Sequence, residues 1–131
     1  MLNPLFKEWL EKAEEDFNFA SRNLEDLATP FFAQICYHFQ QAAEKYLKAY
    51  IVAYELEFKK IHDLTELLRI CWEKEPSFSS LSSACEFLTD FYLETRYPVP
   101  WSTKISREEA QKPKKYTESI RNFIRKILKS K

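Results

Sequence analysis

Apolar residues recur at three- and four-residue steps along most of the chain, the spacing of one face of an α-helix. The first stripe reads Phe6, Trp9, Leu10, Ala13, Phe17, Ala20, Leu24 and Leu27, with Glu14, Glu15 and Asp16 on the wet side. Asn3 stands as its N-cap and Pro4 at the first helical position, where a missing N–H costs nothing. Thr29 and Pro30 repeat that pairing before a second stripe: Phe32, Ile35, Cys36, Phe39, Ala43, Tyr46, Leu47, Tyr50, Ile51 and Tyr54. This second helix is long and aromatic, and it reads as the centre of a bundle. Only about two or three residues separate the two patterns, which predicts antiparallel packing.

After Lys59 and Lys60 the phase breaks. A third helix is expected from about His62 or Asp63 to Trp72, with Leu64, Leu67, Leu68 and Cys71 inward. The Ser-rich stretch from Ser77 to Ser83 reads as a loop or a weak helix start. A fourth helix then turns Leu81, Ala84, Cys85, Leu88 and Phe91 inward. Between Tyr97 and Trp101 two prolines push Tyr97 and Val99 towards extended backbone, giving a helix stop and a constrained loop. Ser106 and Glu109 form a capping-box pattern ahead of the last stripe, Tyr116, Ile120, Phe123, Ile124, Ile127 and Leu128. Pro113 inside that pattern marks a kink or a fresh start. The expected fold is all-α: an up-and-down bundle of about five helices, forming one domain over residues 1–131.

Composition narrows the functions open to such a bundle. The chain has no Gly at all. Phosphate-cradling loops and dinucleotide fingerprints need Gly for close backbone approach, so P-loop and Rossmann readings are effectively excluded. Cys36, Cys71 and Cys85 each fall on an apolar stripe and show no CxxC spacing, so they read as reduced core thiols with no metal site. No apolar run is long enough to span a membrane, and the acidic, amphipathic N-terminus does not read as a signal peptide. A soluble, cytoplasmic protein without cofactor is expected.

Charge is balanced overall but uneven along the chain. Residues 1–30 carry a net −4, residues 31–103 a net −3 and residues 104–131 a net +7. The acidic start and basic end are expected to attract each other within the fold or across a dimer. The alternative is a basic last helix that meets nucleic acid.

Three groups of residues are candidates for chemistry. His38, Gln41, Lys45 and Lys48 share one polar stripe of the second helix, within an arc of about 80°. Imidazole, amide and two ammonium groups in line suit an anion or nucleotide contact, though an ordinary solvated face has the same look. Asp63 suits the N-cap of the third helix and His62 the turn before it. Arg96 and Tyr97 sit where a helix meets a rigid Pro-Val-Pro loop. An Arg there suits a phosphate by its planar fork, or the last carbonyls of its own helix. The serines are many and none is singled out, so no Ser-His-Asp triad is expected.

The stretch Cys36-Tyr37-His38-Phe39-Gln40-Gln41-Ala42-Ala43-Glu44-Lys45-Tyr46-Leu47-Lys48-Ala49 resembles the second helix of HEPN domains. His62-Asp63-Leu64 resembles that family's His-Asp-Leu element, and Arg96-Tyr97-Pro98 its Arg-Tyr-Pro element. The resemblance covers roughly residues 9–128. It implies an all-α bundle that commonly dimerises, often beside a minimal nucleotidyltransferase. Some members are metal-independent RNases of toxin type that pair an Arg with a His, four to six residues lying between them. If Arg96 is that Arg, the His belongs at 101 to 103, where this chain has Trp101, Ser102 and Thr103. Neither His38 nor His62 has an Arg at that spacing upstream. The resemblance therefore implies a non-nucleolytic HEPN domain that forms a homodimer and binds a nucleotide or RNA, or partners a minimal nucleotidyltransferase. His38, Gln41, Lys45, Lys48, Arg96 and Tyr97 would contact the ligand. A toxin-type RNase with another general base, and a plain helical scaffold, are the alternatives.

Overall fold

The computed structural model describes residues 1–57, 63–96 and 105–129, with side chains up to residue 91 in the second stretch. Within these, the elements are α1 (Phe6–Glu25), α2 (Phe32–Ala53), α3 (Leu64–Lys74), a 3-10 segment (Pro76–Leu81), α4 (Ser82–Arg96) and α5 (Arg107–Lys129). The architecture is an all-α bundle, and no strand occurs among the described residues.

α1 and α2 run antiparallel. Asn3 donates to the Ala53 carbonyl at 2.9 Å, Lys48 lies over Trp9, and the Phe17 ring meets that of Phe39, so residue numbers rise on one helix as they fall on the other. The connection is longer than the apolar spacing predicts, spanning residues 26–31. Leu27 keeps step with Leu24 in sequence, but α1 has already ended and Asp26 is extended (φ −68°, ψ 113°). Leu27 is consequently 90% exposed rather than inward.

The helix starts illustrate how capping works here. Asn3 Oδ1 accepts from the Leu5 N–H at 3.0 Å, as an N-cap should, but the next three bonds run from residue i to i+3. The first turn is thus tightened, and regular α-geometry begins only at Phe6. Thr29 Oγ1 likewise accepts from Phe31 N at 3.3 Å. Here Phe31 is non-helical (φ −98°, ψ 49°) and occupies the N-cap position, so Pro30 lies outside the helix instead of opening it. The capping box at Ser106 and Glu109 forms reciprocally: Ser106 Oγ accepts from Glu109 N at 3.1 Å, and Glu109 Oε1 from Ser106 N at 3.2 Å. α5 then runs unbroken through the buried Pro113, so that residue is no fresh start. The Ser-rich stretch is a helix start: a 3-10 turn, led by Pro76 and capped by Glu75, whose carboxylate accepts from Ser77 N, runs directly into α4 at Ser82.

α2 lies at the centre, with α1, α3, α4 and α5 all against it. Phe39, Tyr46, Leu47 and Ile51 are fully buried, and so are Leu64, Phe78, Leu88, Ile120 and Ile124 from the surrounding elements. The three thiols Cys36, Cys71 and Cys85 are buried in this core. α5 runs antiparallel to α1 and is fastened to it at two points. Near its start the Arg107 guanidinium donates to the Leu24 and Asp26 carbonyls and stacks on Phe32. Two-thirds of the way along, Arg121 donates to both oxygens of Glu14.

α2 stops with a full Schellman motif built without glycine. Leu56 N donates to the Ile51 carbonyl at 2.9 Å, and Glu55 N to that of Val52 at 3.1 Å. Glu55 occupies the left-handed position at φ 52°. That conformation crowds a Cβ and favours Gly. Glu55→Gly is therefore expected to raise stability by up to about 1 kcal/mol, seen as a higher urea midpoint. A lower midpoint would mean the glutamate's backbone is not under strain.

Candidate functional site on the α1 and α2 face

The outward side of α2 is built from His38, Gln41 and Lys45, all half-buried where α1 crosses them. Asp16 of α1 joins two of the three: His38 Nδ1 lies 3.2 Å from one carboxylate oxygen, and Lys45 Nζ donates to the other at 2.5 Å. The side chains concerned are 16–33% exposed, which leaves the cluster in contact with water. Gln41 Nε2 donates to Gln40 Oε1 at 3.0 Å. Two aromatic rings frame the imidazole. Phe19 packs edge-on with its centroid 4.6 Å away, and Tyr37 stands at 5.6 Å. Phe19 is 50% exposed and Tyr37 is exposed as well, so the cluster has an aromatic rim.

Lys48 does not share this setting. Its ammonium donates to Glu44 Oε2 at 3.0 Å and lies 5.8 Å from the Trp9 ring centroid, with both charged side chains buried. The predicted stripe is continuous in angle but divides by depth: three residues meet solvent and the fourth is enclosed by α1. Glu14, two residues before Asp16 on α1, faces Arg121 and Arg125 of α5. The expected attraction between the acidic start and basic end is thus realised in those contacts.

The remaining candidates fall elsewhere. Asp63 caps α3, its Oδ1 accepting from Thr65 N at 2.9 Å and from Thr65 Oγ1 at 2.6 Å. Arg96 is the last residue of α4. Tyr97, His62 and positions 101–103 lie outside the described residues. Burial pushes the Cys36 thiol up to about 12, aided by Glu109. Burial does the same to Cys85, with Asp63 and Glu86 adding to it. Cys71 is also raised, again chiefly by burial. All three stay protonated at neutral pH, and none is a nucleophile.

A surface hollow of about 400 Å³ along α1 is lined among the described residues by Glu8, Trp9, Glu11, Lys12 and Glu15. Three carboxylates against one ammonium make it a poor place for an anion. Among the described residues no cluster of three or more His, Cys, Asp or Glu is arranged to hold a metal ion. Nor is any helix there long and apolar enough to cross a membrane.

Sequence reasoning placed Asp16 simply on the wet side of α1 and missed it as the hub of the cluster. The signal was present: Asp16 follows Ala13 by three residues and precedes Ala20 by four, and both alanines are fully buried. Such a residue flanks the buried stripe and can reach across to the next helix.

The sequence model for the HEPN domain matches residues 6–127. This chain belongs to the HEPN family. The bundle is also similar to TT1696 of Thermus thermophilus, known from a crystal structure. The two share 26% sequence identity at a TM-score of 0.81, over 95% of this chain and 98% of that one. No curated protein matches significantly. The HEPN fold thus accounts for nearly the whole chain, and α2 places His38, Gln41 and Lys45 on its half-open side.

Proposed function

We propose that this HEPN domain acts by binding rather than by cleaving RNA, and that its α1 and α2 face holds a nucleotide. The observation carrying this reading is the Asp16–His38–Lys45 cluster under the rim of Phe19 and Tyr37. Aromatic edges suit a base, a carboxylate suits ribose hydroxyls and an ammonium suits a phosphate. Because Asp16 already neutralises Lys45, phosphate must compete for the ammonium, and modest affinity follows. A charge-assisted contact is worth roughly 1.5–3 kcal/mol, so two or three support about micromolar binding after association costs. The non-nucleolytic part rests on Trp101, Ser102 and Thr103, which leave no imidazole where general acid–base catalysis would need one.

A second reading, docking of a second copy or of a minimal nucleotidyltransferase, is favoured by the apolar side chains at the end of α1 and start of α2. Leu27, Phe31 and Phe19 are 90%, 58% and 50% exposed.

Titration with ATP at low salt tests the first reading. Micromolar to sub-millimolar binding is expected, weakened about tenfold in both Lys45→Ala and Phe19→Ala, the loss of one contact of about 1.4 kcal/mol. No binding at millimolar ATP, or binding unchanged in both variants, defeats it. The same preparation should leave unstructured RNA intact without metal. Cleavage that disappears in Arg96→Ala would restore the nuclease alternative. A monomer mass by light scattering at micromolar concentration would remove the homodimer from the second reading.

A further inference from the structure

α5 carries eight basic and three acidic residues, and the structure separates the basic ones by type. The arginines work within the fold: Arg107 holds the end of α1, and Arg121 and Arg125 reach Glu14. Of the five lysines, Lys112, Lys115, Lys126 and Lys129 are exposed, and among the described residues none of these four forms an ion pair; the fifth, Lys114, is half-buried and lies off their line. With Ser119 and Asn122 the four follow one another at steps of three and four. At 100° per residue the six share an arc of about 100°, and the line is about 25 Å long. Glu108 stands at its start and Glu118 at its edge, and neither pairs with a lysine there.

We infer that this lysine seam of α5 is a docking surface for the phosphate backbone of double-stranded nucleic acid. The inference is independent of nucleotide binding on the α1 and α2 face. Four unpaired ammonium groups in a line complement a duplex, which presents one negative charge per roughly 1.7 Å of axis. Helix-dipole compensation explains Lys126 and Lys129 in the last turn, but not Lys112 and Lys115 in the first half. The seam also lacks what other occupants require. Protein interfaces anchor on buried aromatic and aliphatic groups and are depleted in lysine. A membrane-surface helix needs an apolar face to insert, and here Ile120, Ile124 and Leu128 are consumed by the core. Single strands are gripped by stacking bases on exposed aromatics, and the seam has none. The chain's formal net charge of zero gives no general attraction, so binding would have to originate in this local line.

The experiment is fluorescence anisotropy with labelled 20-base-pair DNA and RNA duplexes, a 20-base single strand and anionic lipid vesicles, from 50 to 200 mM salt. Four neutralised phosphates predict a slope of log affinity on log salt of about −3.6, and so about a 150-fold loss over that range for duplex DNA. Lys126→Gln with Lys129→Gln should halve the slope, leaving a loss of about 12-fold. Lys7→Gln with Lys12→Gln removes the same charge from α1 and should leave binding unchanged. Circular dichroism matching the parent shows that the α5 variant is folded. The inference is overturned by absence of duplex binding at 50 mM salt, by a slope the α5 variant does not alter, or by single strands or vesicles bound more tightly than duplex.

Discussion

Replacing Phe39 by alanine is expected to destabilise the protein by about 3–5 kcal/mol, the range for deleting a buried aromatic ring. The ring is fully enclosed and packs edge-to-face on Phe17 of α1 at 5.7 Å. The Phe39 carbonyl accepts from Thr117 Oγ1 of α5 at 3.2 Å, so the residue stands where three helices converge. Little can collapse into the vacancy, since Ala20, Ala43 and Tyr46 of the same core are themselves fully buried. Urea unfolding should show the midpoint falling with an unchanged slope. A loss below about 1 kcal/mol would mean that the bundle repacks freely around α2. Because His38 adjoins Phe39 in sequence, a variant that stays folded should also loosen the His38–Asp16 contact.

The second large effect is expected at Lys48. Lys48→Met keeps the length and apolar stem of the side chain but takes the ammonium away from Glu44, which is 3% exposed. Breaking one side of a buried pair costs roughly 3–5 kcal/mol, because the remaining charge keeps its desolvation penalty. Adding Glu44→Leu should recover most of that loss, since two apolar side chains of similar size replace a buried pair at little net cost. Thermal and urea unfolding of the two single variants and the double variant form the required cycle. If Lys48→Met is neutral, the pair contributes nothing to the fold; if the double variant is no better than the single, the cost lies in packing against Trp9.

Much of the architecture is legible in the sequence, because helical periodicity is set by the same residues that become the core. The apolar positions read for α2 all end up buried or half-buried against the other helices, and Tyr54 caps its end. Boundaries were harder, since they depend on backbone conformation at one or two residues. Leu27 fits the period of α1 but lies beyond Asp26, and Thr29-Pro30 has the composition of a helix start without being one. The site was legible as a stripe and not as a depth profile. Periodicity puts Lys45 and Lys48 on the same side of α2, yet only the packing of α1 against it decides that Asp16 takes one and Trp9 covers the other. For the same reason the partner of Lys45 is Asp16 and not Glu14 or Glu15: adjacent carboxylates differ by about 100° around a helix, and interhelical rotation selects among them.

The separation of arginine from lysine in α5 also bears on covalent regulation. Guanidinium groups hold α5 to α1, whereas the primary amines at Lys112, Lys115, Lys126 and Lys129 project into water. Acetylation of those amines would erase positive charge along one side of the protein without touching the contacts that join its helices. Lys48, whose amine is enclosed with Glu44, would be spared the same reagent as long as the protein stays folded. The surface field and the stability of this bundle are therefore carried by different residues and can change independently.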